Sequence, residues 1–175
     1  MTALAAAAVT LAQMVEPVGS VPRAALDAAF CVGVFTGGSG VITCRTEGGP
    51  GPWGPPLLMR RRGPAHRKDA PEALLLVRHP DAVDGLLAAS GPRRESPGAY
   101  EGPPVVVYVR EGRSSRSAGP EAVVAEPDGA GNRALYQRAI APRDIVLRPG
   151  LAVPAAAREL HELLMRLSPG GGTAW

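Results

Sequence analysis

Glycine and proline interrupt this chain so often that a long helix or strand has no room in its middle. There are 22 glycines and 19 prolines in 175 residues, roughly twice the usual share. Proline fixes φ and removes a backbone donor, and glycine inside an element costs conformational entropy. Regular structure is therefore confined to short segments, and part of the chain must be loop. With 45% hydrophobic and 20% charged residues, the segments between the breaks can still build one core. The length suits one domain, expected over residues 1–168 with a flexible tail at 169–175.

Several function classes fall away on composition. No apolar run approaches the ~20 residues that a membrane-spanning helix needs. Aromatic residues, at 4%, are too sparse for a platform that stacks single-stranded nucleic acid. The formal net charge of +3 permits contact with anionic surfaces without demanding it. Two cysteines, Cys31 and Cys44, cannot form a dense disulfide framework. Each sits in an apolar stretch and reads first as a buried thiol, with a bridge between neighbouring strands as the alternative.

The N-terminal MTALAAAAVTLAQM lacks the positive residues that open a secretory signal, since no Lys or Arg precedes Arg23. It reads as a helix in which Leu4, Ala8, Leu11 and Val15 form one stripe at helical period, ended by Pro17. Docking onto a core is the plain reading of that stripe. Lying on a membrane surface is the sharper one.

A turn at 18–22 and a short helical piece at 23–28 lead to two strands, 29–36 and 40–45, separated by the hairpin signal Gly37-Gly38-Ser39. Residues 46–72 then read as loop, with GGPGPWGPP excluding a central strand and RRRGPAHRKD supplying Arg60, Arg61, Arg62, Arg67 and Lys68. A strand is expected at 73–78 and, after His79-Pro80, a helix through Val83, Leu86 and Leu87 capped by Asp81. Loop is expected at 90–103, the clearest strand at 104–110, loop again at 111–120 with Arg113 and Arg116, and a weak strand at 121–126.

Asn132 looks like the cap of a short helix, and the stretch Pro142-Arg143-Asp144-Ile145-Val146-Leu147 follows it. Pro154 opens a final helix with Ala156, Leu160, Leu163, Leu164 and Leu167 on its apolar face. Strand runs joined by turns, with helices beside them, predict an α+β domain. Its sheet is antiparallel, with a barrel-like form as one variant, and helices pack at both chain ends.

Catalytic patterns are missing from the sequence. His66, His79 and His161 lie far apart, and the HExxH start at His161-Glu162 fails because Met165 stands in the last position. Gly37-Gly38-Ser39-Gly40 fits neither a nucleophile elbow nor a phosphate loop. Capping accounts for Asp81 and solvation for Asp84. A non-enzyme without metal or cofactor is expected.

The stretch NRALYQRAIAPRDIVLRPGLAVPAAARELHELL resembles the C-terminal end of the SYLF lipid-binding domain family. Asn132, Arg133, Tyr136, Asp144, Ile145, Leu147 and Pro154 occupy the matching positions. GSGVITCR followed by Trp53 is similar to the family's hairpin strand that ends in Arg before a Trp. ALLLVRHPDAVDGLL, Gly91-Pro92 and VVVYVR follow in the family's order. About two-thirds of the chain is covered. The family's Trp-Ser-x-Pro is Trp53-Gly54-Pro55-Pro56 here, and RRRGPAHRKD and EGRSSRSAGP replace two of its glycine-rich segments, so the chain resembles a shortened, divergent member.

The resemblance implies a non-enzymatic module that binds anionic, phosphoinositide-containing membranes with the help of its N-terminal helix. Some family members contact actin, so a protein partner is also implied. The expected lipid-binding residues are Arg60, Arg61, Arg62, Arg67 and Lys68, with Leu4, Leu11 and Val15 of the first helix. Cytoplasmic residence at the membrane periphery goes with that role. The alternative is a protein-interaction or structural module that kept the fold and lost its lipid site, and specific nucleic-acid binding is not expected.

Overall fold

A two-residue turn at Gly37-Gly38 folds β1 (Cys31–Thr36) back onto β2 (Ser39–Cys44), pairing Thr36 with Ser39 and Cys31 with Cys44. Gly37 has a φ of 59°, a conformation glycine adopts without penalty. Gly40 is needed for space instead: a Cβ there would lie 2.2 Å from the Phe35 ring that crosses it. The computed structural model describes residues 2–15, 21–46, 51–62, 70–87, 104–112, 114–119, 122–148 and 150–169.

Around this hairpin β3 (Leu57–Arg61), β4 (Ala73–Val77), β5 (Val105–Glu111), β6 (Ser114–Ala118) and β7 (Ala125–Pro127) complete a seven-stranded sheet. The order is β6-β5-β4-β1-β2-β3-β7, and every neighbouring pair is antiparallel. The sheet is open, ending at β6 and β7, and does not close into a barrel.

Both faces of the sheet are covered, and residue alternation along the strands assigns side chains to each face. Val32, Val34, Val41, Leu74 and Leu76 pack with α1 (Ala3–Val15), Leu26 of α2 (Arg23–Asp27) and α6 (Arg158–Leu167). Cys31, Phe35, Ile42, Leu75 and Val77 pack on the other side with α3 (Val83–Leu87) and α5 (Pro142–Leu147). Strand β4 is buried on both faces, which is why its sequence is an unbroken apolar run. The seventh strand and α4 (Gly129–Tyr136) flank β3.

Several expectations are corrected. The 46–72 segment is not all loop, because Leu57–Arg61 is a paired strand; Pro55 and Pro56 precede it and cost it no ladder bond. Likewise 111–120 contains β6, joined to β5 by a tight turn in which Gly112 takes a φ of 62°. The strand expected at 121–126 is shorter and later, at Ala125–Pro127. Asp128, not Asn132, caps α4, accepting from the Gly131 N–H at 3.0 Å. The His79 ring accepts from Asp81 N at the next helical turn, in place of an Asp81 cap. In the last helix Ala157 is buried and Ala156 faces solvent. Finally, Cys31 and Cys44 form a disulfide, because the hairpin register sets them directly opposite each other. The expected loop at 90–103 and the tail after 169 lie outside the described residues.

Candidate functional site

Among the described residues the expected lipid-binding positions separate into three groups. On β3, pleating sends successive side chains to opposite sides. Arg60 and Arg62 point outward, 60% and 47% exposed, and both reach Glu126 of β7, at 3.2 and 3.7 Å. Arg61 points inward and is 4% exposed. Its guanidinium donates to the carbonyls of Gly37 at 3.2 Å and Pro71 at 2.6 Å and lies 5.7 Å from the Phe35 ring. Burial lowers its pKa. Arg61 thus joins the β1–β2 turn to the start of β4 and is not on the surface. Arg67 and Lys68 lie outside the described residues.

The third group is Leu4, Leu11 and Val15. All three are buried, at 5%, 0% and 5% exposure, against the β1–β2 hairpin and α6. The apolar stripe that a membrane-surface helix needs is already used by the core. Thr10 bonds Thr36 at 2.8 Å, and Gln13 accepts from Arg110, whose guanidinium also meets Glu72 at 2.7 Å. These polar ties fix the helix in register on the sheet. No helix of the described residues is long and apolar enough to cross a membrane.

The most elaborate polar cluster surrounds Arg45, 3% exposed at the end of β2. It donates to the carbonyls of Ala29, Gly51, Leu26 and Ser168, and from Nη2 to Ser168 Oγ. Its guanidinium stacks 4.0 Å from the centroid of Trp53, whose Nε1 donates to Ser168 O at 2.9 Å. Desolvation lowers the Arg45 pKa, opposed by the Asp27 carboxylate. His161 is half-buried, with its Nε2 2.9 Å from Trp53 O. Every group here has a partner within the chain, so the cluster is a clasp holding the end of α6 to the hairpin. Arg45 and Trp53 were legible as a motif, but their partner Ser168 was not.

A second clasp holds β3 in place. Asn132 of α4 accepts from Leu58 N at 2.8 Å and returns a bond from Nδ2 to Leu58 O at 3.0 Å. Tyr136 OH donates to Pro56 O, and burial raises its pKa. Together these two side chains orient the strand that carries Arg60.

Among the described residues no three His, Cys, Asp or Glu side chains gather as metal ligands. The Asp84 carboxylate is ion-paired with Arg143. The exposed arginine edge of β3 is what remains of the expected site. No family model, curated protein or solved structure matches the chain.

Proposed function

We propose that this chain is a non-enzymatic module that associates peripherally with anionic membranes, phosphoinositide-containing ones included, through the exposed arginines at the end of β3. The observation that carries the reading is the outward placement of Arg60 on β3 and of Arg62 just after it, in a sequence that continues with Arg67 and Lys68. Each basic side chain near an anionic surface contributes about 1 kcal/mol. The order of SYLF-like motifs along the chain supports the same reading. The helix α1 acts here as part of the scaffold.

The test is co-sedimentation with vesicles of phosphatidylcholine alone or with phosphatidylinositol phosphate, at low and high salt. Selective, salt-sensitive pelleting that falls in the Arg60→Ala/Arg62→Ala variant is expected. Pelleting that is absent, or unchanged by that variant, overturns the reading.

One observation favours a second reading, a protein-interaction module. Among the described residues no strand pairs with the outer edge of β6, and an open edge can accept an extended segment of a partner. A folded protein that ignores every vesicle composition supports it.

A further inference from the structure

A cleft of about 380 Å³ opens between the segment after α4 and the segment after α5, and none of the β3 arginines lines it. Two backbone reversals frame it. Gln137 ends α4 at a φ of 60°, the one positive φ among the described non-glycine residues, and its side chain braces Ala134 O at 2.8 Å. Gly150 takes a φ of 93° with open space around its Cβ direction, so the position needs the conformation and not the room. The reversals present Arg138 and Arg148 to the cleft. Ile140 and Leu151 form its apolar wall and pack against the sheet's second core, which makes the cleft part of the scaffold.

Among the described residues neither the Arg138 nor the Arg148 guanidinium has an ion pair or side-chain hydrogen bond, and the one carboxylate in the lining, Asp144, is exposed. Two planar guanidinium forks match the oxygens of a phosphate. A carboxylate beside them repels a bare anion but accepts hydrogen bonds from hydroxyl groups. The left-handed C-cap at Gln137 stops α4 and turns the chain so that Arg138 follows at the cleft.

We propose that this cleft binds a phosphate monoester carried on a hydroxyl-bearing body, with Arg138 and Arg148 on the phosphate and Asp144 on a hydroxyl. A soluble polyol phosphate and a lipid headgroup share this chemistry. The site goes beyond the membrane reading and does not depend on it, because it uses other residues and a soluble ligand can fill it.

The experiment is a titration of the full chain with inositol monophosphate, inorganic phosphate and inositol, followed by amide chemical shifts and calorimetry. Saturable binding of inositol monophosphate is expected, mapped to residues 138–151, weaker for inorganic phosphate and absent for inositol. Arg138→Ala and Arg148→Ala each weaken it about tenfold or more, the scale of a lost charge-assisted hydrogen bond. Asp144→Asn tightens inorganic phosphate and narrows its gap to inositol monophosphate. All three residues are exposed, so the variants should stay folded, and an unchanged melting curve checks this.

No saturable binding by the wild-type chain overturns the proposal, as does unchanged affinity in the Arg138→Ala/Arg148→Ala double variant. Vesicles with phosphatidylinositol phosphate that displace the soluble ligand identify a headgroup, and vesicles that do not identify a soluble metabolite; both results support the site. Arg60→Ala/Arg62→Ala leaves the soluble titration untouched, so failure of the membrane reading and failure of this site remain distinguishable.

Discussion

Arg45 donates from Nη2 to Ser168 Oγ at 2.6 Å, and that hydroxyl in turn donates to Asp27 Oδ1 at 2.5 Å. The relay connects a buried cation at the end of β2 to a solvent-exposed carboxylate on α2 through the residue that ends α6. A buried guanidinium is tolerable because its N–H groups meet carbonyls, a hydroxyl and an aromatic face.

Arg45→Met should therefore lower stability by about 3 kcal/mol, since several carbonyls lose a charge-assisted donor at once. Arg45→Lys should recover only part of this, because one ammonium cannot replace a planar fork. Urea unfolding with a constant m-value checks both; a lysine variant as stable as wild type would contradict the clasp.

Arg60 and Arg61 are neighbours in sequence with opposite roles. Arg61→Ala should destabilise the fold by about 1–3 kcal/mol through the lost bonds to Gly37 O and Pro71 O. Arg60→Ala should cost under about 1 kcal/mol, as an exposed ion pair does. Vesicle affinity, by contrast, should fall with Arg60→Ala by roughly fivefold, about 1 kcal/mol. Thermal melts and co-sedimentation on the same two variants separate the effects.

Asn132→Ala should cost about 1–3 kcal/mol, leaving the Leu58 N–H and C=O without their side-chain partner. Faster amide exchange at residues 57–61 is the local signature. Exchange that rises evenly over the sheet would show that Asn132 does not hold β3 specifically.

Tyr136 predicts an alkaline limit. Its folded pKa is raised by burial above the ordinary value of 10.0, so the native state keeps a proton that the unfolded state releases. The contribution is fully present below about pH 10 and declines as pH rises towards the folded value, by about 1.4 kcal/mol per pH unit. Denaturation midpoints between pH 9 and 11 should fall less steeply in Tyr136→Phe than in wild type.

The Cys31–Cys44 bridge closes a short loop, with 13 residues of sequence separation, and both sulfurs are buried. Its loss in Cys31→Ala/Cys44→Ala should cost about 3 kcal/mol. In the folded chain, thiol alkylation after mild reductant should be slow and should accelerate in urea. Rapid reduction of the native protein would contradict the burial.

Local pattern carried a large part of this fold. The helical stripe of Leu4, Ala8, Leu11 and Val15, the Gly37-Gly38 turn, the apolar run of β4 and the final leucine face all appear where periodicity and turn chemistry put them. Each depends on interactions between residues close in sequence, or on which face is apolar.

What sequence alone could not decide is which surface that stripe meets and where each arginine points. One-residue alternation on β3 made Arg61 a core residue and left Arg60 and Arg62 outside, because pairing with β2 and β7 fixes the register. The β3 and β6 segments look like loops until their neighbours supply the ladder bonds that outweigh weak local propensity. Ser168 became the partner of Arg45 because the sheet and α6 close a path of 123 residues into one hydrogen bond. The sequence by itself determined the short elements and their apolar faces. Tertiary pairing determined which charges were buried, because a side chain's exposure depends on partners that lie far away along the chain.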